Sequence, residues 1–352
     1  MAEPTHYPAA PSSPIPGTSV PGTSIGVELA DPDLESAIRS TLAAVEEQLH
    51  LAVTSDDPLV AEAARHLVDA GGKRFRPLLA ATAAEIGAGG GTEVVLSATV
   101  VELTHLATLY HDDVMDEAVV RRGAPSANSR WGNSIAILVG DFLFARAADI
   151  VAELGAEAVR IQARTFARLV HGQIAETVGP RESDPVTHYL HVIAEKTGSL
   201  IATSARFGAM FGGLAAREVE ALARYGETMG VAFQLSDDLL DIAADPVQSG
   251  KTPGTDLREG VPTLPVLYAL AGGESDSASV RLREILAGGP VTDDTLHTEA
   301  LGLLRESAAM KRARETVRTY AERARMELSP LPAVPARRAL ESLCDFIADR
   351  NS

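Results

Sequence analysis

Hydrophobic positions recur at intervals of three and four along most of this chain. Leu34, Ile38, Leu42, Val45 and Leu49 set the pattern, one apolar stripe on a 3.6-residue period. Asp31-Pro32 stands directly ahead of it, an N-cap carboxylate followed by a proline whose missing N–H is harmless at the first helical position. Alanine and leucine are abundant afterwards and alternating β-branched runs are few, so helix propensity dominates. Breaks fall at Gly71-Gly72, Gly87 to Gly91, Gly179 to Asp184, Asp245 to Gly260 and Gly288 to Pro290, where Gly, Pro and Asp cluster. Several intervals between them hold about 20–30 residues, long enough for helices that span a domain. The pattern predicts an all-α chain, a single large bundle of about ten or more helices. No tandem repeat of fixed period is present.

Residues 1–30 are rich in Pro, Ser, Thr and Gly and read as a disordered leader, with the helical domain over 31–352. Arg39 is the first basic residue, so the charged start of a targeting signal is absent. The best candidate for a membrane-crossing run, Ile135 to Phe144, is interrupted by Asp141, and no membrane span is expected. Cys344 is the single cysteine, which excludes a disulfide framework and a Cys-rich metal site and suits a small buried apolar residue in a reducing, cytoplasmic setting. With 31 Lys and Arg against 48 Asp and Glu, the formal charge is −17, which argues against nucleic acid as a partner. It does not argue against an anionic small molecule, because divalent cations reverse the sign of a carboxylate cluster locally.

Such clusters occur twice. Asp112-Asp113-Val114-Met115-Asp116 and Asp237-Asp238-Leu239-Leu240-Asp241 share the form DDxxD, and each closes a long apolar segment. On a helix, Asp112 shares a face with Asp116, and Asp237 with Asp241. Carboxylates at a helix C-terminus repel one another and oppose the helix dipole. A solvated acidic helix end would explain one such motif. Two of them, 237 − 112 = 125 residues apart, point to a clamp for a diphosphate held through Mg²⁺, which takes a few carboxylate oxygens and leaves sites open for phosphate.

With these motifs the sequence resembles the trans-isoprenyl diphosphate synthases, or polyprenyl synthetases, from about residue 34 to 348. The first cluster continues to Arg121-Arg122-Gly123, and Phe233-Gln234-Leu235-Ser236 leads into the second. Gly71-Gly72-Lys73-Arg74-Phe75-Arg76-Pro77 is similar to the family's basic GGKRxRP motif, Lys196-Thr197-Gly198 to its KT motif, and Gly250 to Leu257 to its loop after the second cluster. The resemblance implies an isoprenoid-synthase helical bundle around a central cavity. It also implies a magnesium-dependent prenyltransferase that extends an allylic diphosphate with isopentenyl diphosphate. About three Mg²⁺ ions would be held by Asp112, Asp116 and Asp237, with Asp113, Asp238 and Asp241 as direct or indirect supports. Lys73, Arg76 and His105, assisted by Arg122, would hold isopentenyl diphosphate, and Arg121, Lys196 and Lys251 the allylic diphosphate, with Thr197 and Gln234 near its reacting carbon. Arg74 is free to turn to solvent or to a salt bridge. Many members have lysine where Val261 stands, so a basic contact there is lost or supplied by Arg258. A homodimer is likewise implied.

Thr108 lies one turn, about 5.4 Å, from Asp112 on the same face, with Ala107 beside it. Short-chain members carry bulky aromatics at one of these positions; both are small here, so a long tail can pass and a long-chain product is expected. A residue deeper in the protein could stop the tail instead. Shorter-chain farnesyl or geranylgeranyl synthesis is the nearest alternative. A class I terpene cyclase would have no use for the GGKRxRP segment, and its second metal motif mixes Asn, Ser or Thr with Glu. Glu102-Leu103-Thr104-His105 is an ExxH as in di-iron bundles, but a second copy is missing. A non-catalytic subunit would have lost one cluster, and both are intact.

Overall fold

A computed structural model of the chain describes residues 31–243 and 253–350, and most of what it describes is helix. Helix α1 (Pro32–Ala52) starts where the Asp-Pro pair sets it: Asp31 accepts the Leu34 N–H at 3.0 Å and Pro32 fills the first turn. Its predicted stripe, Leu34 through Leu49, is buried throughout. Then follow α2 (Pro58–Asp69), α3 (Phe75–Ala84), α4 (Thr92–Met115), α5 (Ala127–Trp131), α6 (Asn133–Glu153), α7 (Ala156–Val178) and α8 (Pro185–Ile193). A π-helical turn, Ala194–Gly198, joins α8 to α9 (Ser199–Phe211), which is followed by α10 (Ala216–Ala243). The remainder forms α11 (Thr255–Glu259), α12 (Leu264–Ala271), α13 (Ser277–Leu286), α14 (Asp294–Glu306), α15 (Ala308–Glu327) and α16 (Pro335–Asp349). A short hairpin, β1 (Val120–Arg121) with β2 (Ala124–Pro125), interrupts the helices after α4.

Two helices organise the rest. α4 packs on α1, α3, α6 and α9, while α10 packs on α9, α15 and the π turn. Buried side chains accordingly form two clusters, one around α4 and α6 with Leu103, Leu106 and Tyr110, the other around α10 with Leu222, Tyr225 and Met229. Buried hydroxyls in both reach acceptors: Tyr110 donates to the Ala63 carbonyl at 2.5 Å and Tyr225 to that of Leu340 at 2.9 Å. Glycines let the backbones touch where α3, α9 and α10 meet. A Cβ on Gly208 would lie 2.0 Å from the Ala80 oxygen, and one on Gly226 would lie 2.8 Å from the Ala202 Cα.

The predicted all-α bundle is what forms, and the predicted breaks at 71–72, 87–91, 179–184 and 288–290 are loops. Three details differ. Among the described residues α4, not Ile135 to Phe144, is the helix long and apolar enough to cross a membrane, and it is the buried centre of the protein. The expected break Asp245 to Gly260 contains α11, and residues 244–252 lie outside the described residues, as does the expected leader 1–30. The hairpin was not anticipated. Its turn, Arg122-Gly123, has φ of 54° and 78°, the two left-handed residues of a type I′ connection. Cys344 is buried, as its type suggested.

The Gly208 contact is the tightest of these backbone approaches, and its relief requires α3 and α9 to separate. Gly208→Ala should therefore cost about 1–3 kcal/mol despite alanine's better helix propensity. A denaturant titration checks this; an unchanged or raised midpoint would show that the helices have room to give.

Candidate active site

The first carboxylate cluster sits in the last turn of α4, with Asp116 as the C-cap, and the second in the last turns of α10. Because α4 and α10 flank the same space, Asp112 and Asp237 line one cavity of about 550 Å³. The two motifs, far apart in the chain, thus face each other. The six carboxylates are not equivalent, however. Asp113 is fully buried and accepts Arg121 Nε at 2.6 Å, with its second oxygen unpaired. Asp238 accepts the Tyr189 hydroxyl and the Gln234 amide, the latter at 2.9 Å. Asp241 accepts the backbone N–H groups of Thr255 (3.3 Å) and Asp256 (3.2 Å), folding the following loop back onto the cluster. In each motif, then, the first aspartate faces the cavity and the second anchors a neighbour.

Crowding raises the proton affinity of these groups. Burial, then Asp116, pushes the Asp112 carboxyl to about 6 against the pull of Lys196. Burial lifts Asp238 to about 6, against its hydrogen bonds from Tyr189 and Gln234 and with Asp237 and Asp241 adding to the rise. Asp256 is lifted to about 7 by burial and by Asp241 and Asp238. The set is short of positive charge, and its donors are oxygens throughout, the chemistry of a hard divalent cation. Among the described residues no three Asp, Glu, His or Cys side chains converge tightly enough to hold an ion alone. That suits Mg²⁺, which keeps several waters and shares its remaining positions with substrate phosphate.

Opposite the carboxylates the cavity is basic. Arg74 adopts a left-handed backbone (φ 45°) and turns inward, donating to Glu46 at 2.5 Å, to Glu102 at 3.1 Å and to the Val68 carbonyl at 3.1 Å. Of the two expected roles for Arg74 it takes the salt bridge. Its neighbours Lys73 and Arg76 line the cavity. Arg76 keeps a buried Nε without a partner, and burial lowers its pKa to about 10. His105 joins them, held far below its ordinary pKa by burial and by Arg76 and Arg122, and is therefore neutral. Arg122 donates to the carbonyls of Leu67 (3.0 Å) and Gly71. It lies close over Gly72, where a Cβ would sit 2.9 Å from its guanidinium carbon and where the backbone φ of 154° itself favours glycine. From the π turn come Lys196, paired with Glu176, and Thr197, donating to Gln234 Oε1 at 3.1 Å.

A second cavity, about 320 Å³, adjoins the first and shares Thr108, Asp112 and Lys196 with it. Its walls are mostly apolar, from Met115, Phe144, Phe166, Leu169, Val170 and Ile174. Ala107 does not line either cavity: it is fully buried in the core, its carbonyl against Gly140 on α6, so of the expected chain-length pair Thr108 alone is at the surface of the space. Arg258 does not replace the missing lysine, because it is bound to Asp294 at 2.8 Å and to the Thr292 carbonyl at 3.2 Å. Lys251 lies outside the described residues.

Several residues of the site carry no role in the sequence reading. Glu102 had been weighed only as half of an ExxH motif; it is buried against Arg74 beside the basic floor. Asp256 stands in the quoted loop motif, so its position was visible although its packing against Asp241 was not. Arg350, which pairs with Asp237 at 2.8 Å and lies over Phe233, comes from the far end of the chain and carries no local signal.

A cavity with aspartates opposite Lys and Arg side chains and an adjoining apolar channel coincide with a match of residues 57–302 to the Polyprenyl synthetase family. The chain belongs to that family. This prenyltransferase is 51% identical, over 93% of its length and 97% of the relative's, to the nonaprenyl diphosphate synthase of Mycobacterium tuberculosis. Among solved structures it is similar to a geranylgeranyl pyrophosphate synthase from Corynebacterium glutamicum complexed with calcium and isoprenyl diphosphate. That likeness has a TM-score of 0.83 and 46% identity, and covers 93% of this chain and 100% of that one. It is also similar to a decaprenyl diphosphate synthase from Rhodobacter capsulatus, with a TM-score of 0.81, 34% identity and coverage of 91% and 99%.

The raised carboxyls set a pH dependence. Without a cation, the protonated forms of Asp112, Asp238 and Asp256 stabilise the fold; that contribution is complete below the ordinary value of 3.8 and is lost as pH rises through 6 and 7. A divalent cation replaces the departing protons. The Mg²⁺-induced rise in Tm should thus be small near about pH 5 and grow toward about pH 8. Scanning calorimetry with and without Mg²⁺ checks this, and an increment independent of pH would contradict it.

Proposed function

We propose that this enzyme makes a long all-trans polyprenyl diphosphate by adding isopentenyl diphosphate to an allylic diphosphate with Mg²⁺. The supporting observation is the junction at Thr108, Asp112 and Lys196, where a polar cavity with two charge patterns opens into an apolar one. Lys73, Arg76 and neutral His105, with Arg122 bracing Gly72, take the diphosphate of isopentenyl diphosphate. Arg121, Lys196 and Lys251 take the allylic diphosphate beside Asp112, Asp116 and Asp237, with Asp113, Asp238 and Asp241 holding Arg121, Gln234 and the loop after α10 in place. Asp112, Asp116 and Asp237 would hold Mg²⁺, which when bound would supply Lewis acidity to the departing oxygens of the diphosphate. Lys196 and Arg121 add fixed positive charge where negative charge develops as the C1–O bond breaks. Thr197 and Gln234, hydrogen-bonded to each other, border the carbon where the isopentenyl double bond attacks. The proton lost in that step goes to the released diphosphate, and the apolar walls keep water away from the cation.

Each five-carbon unit buried contributes at most about 4 kcal/mol, so space and not affinity limits growth, and we place the product at about seven to ten units. The apolar channel runs out to Phe166, Val170 and Ile174, which are 37%, 41% and 54% exposed in the single chain. A product of this length suits the side chain of a quinone such as menaquinone. One observation favours a shorter product: Phe144 and Phe166 stand in the channel with ring centroids 4.4 Å apart, a pair able to stop the tail. The exposed stripe Val159, Phe166, Val170, Ile174 and Val178 along α7 supports a homodimer. Terpene cyclisation is disfavoured by the basic floor, which serves a second diphosphate that a cyclase does not bind.

Purified enzyme given Mg²⁺, isopentenyl diphosphate and farnesyl diphosphate should yield a ladder ending at long products. Chelation of the metal should abolish it, and Asp237→Asn should slow turnover at least about a hundredfold without unfolding. Prenyl transfer that persists without metal would refute the mechanism. In the same assay Thr108→Phe should shorten the ladder and Phe144→Ala lengthen it. A ladder that neither change moves would remove the channel from the control of length.

A further inference from the structure

Lys196 and Thr197 do not sit on an ordinary helix. The π-helical turn that carries them, Ala194–Gly198, has a weaker hydrogen-bonding geometry than the α-helices on either side and persists where its surroundings hold it. Those surroundings are specific. Arg168 on α7 donates through Nε and Nη2 to the Glu195 carboxylate, at 2.9 and 2.7 Å, and through Nη2 to Glu227 on α10 at 2.5 Å. One turn further along α7, Gly172 faces the π turn so closely that a Cβ would lie 2.8 Å from Glu195 Cβ and 2.9 Å from Lys196 Cγ. On the other side, a Cβ on Gly230 of α10 would lie 2.8 Å from the Gly198 Cα. Two helices, α7 and α10, therefore close around the turn, while Lys196 and Thr197 line the cavity.

We propose that Arg168 is a positioning residue for prenyl transfer. By tying Glu195 on the π turn to Glu227 on α10, it fixes where Lys196 and Thr197 stand relative to the second carboxylate cluster, which α10 carries ten residues beyond Glu227. The inference rests on the reading that Lys196 holds the allylic diphosphate. The same two elements are joined again inside the cavity, where Thr197 donates to Gln234 and Gln234 to Asp238. Arg168 thus acts outside the cavity on a contact whose inner end touches the reacting groups. Arg168 and Glu227 are both partly exposed, so their ion pair contributes little to stability. What the planar guanidinium supplies is direction, since its fork reaches two carboxylates at once and a lysine ammonium does not hold that geometry.

The test compares Arg168→Met, Arg168→Lys, Glu227→Gln and Lys196→Ala in steady-state assays that vary each substrate separately, with Tm measured for all four. Misaligned Lys196 and Thr197 predict, for Arg168→Met, an allylic kcat/KM lower by about tenfold to a hundredfold. The KM for isopentenyl diphosphate and the Tm should stay near those of the parent enzyme. Arg168→Lys should recover only part of the loss, and Glu227→Gln should show a smaller loss of the same kind even if Arg168→Met fails to fold. Equal losses toward both substrates, or losses that track a falling Tm, would overturn the proposal in favour of a structural role. If Lys196→Ala impairs the allylic substrate while the Arg168 and Glu227 variants do not, the positioning role fails and the site assignment stands. If Lys196→Ala leaves allylic kinetics untouched, the assignment of Lys196 itself fails, and the inference with it.

Discussion

Burial of carboxylates at the ends of α4 and α10, sharpened by repulsion inside each cluster, is the constraint that shapes this protein. Burial and mutual proximity leave Asp112, Asp238 and Asp256 holding protons up to 6 or 7. Such an arrangement is stable only where positive charge can be supplied, and the chain supplies part of it itself through Arg121 on Asp113 and Arg350 on Asp237. The remainder is the room left for a cation and a diphosphate. The charge imbalance that is unfavourable for the fold is what makes the cavity selective for a metal-bridged anion.

The same economy governs the basic half. Guanidinium groups crowd one another, and Arg74, placed between Lys73 and Arg76, would add to the crowding if it faced the cavity. Instead Glu46 and Glu102 bind it, while Arg74 itself holds a left-handed backbone. A buried ion pair of this kind is weak as a source of stability but strong as a determinant of geometry. Here it ties up the guanidinium of Arg74, between Lys73 and Arg76, on two glutamates. Polar and apolar cavities then join at Thr108, the arrangement the proposed reaction calls for, with charge on one side and an apolar channel on the other.

Much of this was legible beforehand. The period of Leu34 to Leu49, the Asp31-Pro32 helix start and the glycine breaks are local signals, and the helices follow them because each depends on neighbours within a few residues. The spacing of the aspartates likewise revealed two carboxylate faces, and the order of motifs revealed the family. Other features were not legible, because they depend on contacts between segments far apart in the chain. Ala107 and Thr108 are both small and adjacent, and nothing local says that one packs on Gly140 while the other borders the channel. Asp112 and Asp113 are identical in type, yet the hairpin brings Arg121 to one and leaves the other facing the cavity.

By itself, then, the sequence determined the helical class, the places where helices start and stop, and the presence of two acidic clusters and a basic segment suited to diphosphates. These follow from propensity, capping and charge at short range. Tertiary structure alone decided which aspartate of each pair faces the cavity, that Arg74 is held by Glu46 and Glu102, that Arg258 pairs with Asp294, and how far the apolar channel reaches. Those outcomes depend on which distant helix lies within a few ångströms, a quantity that residue type and spacing do not encode locally.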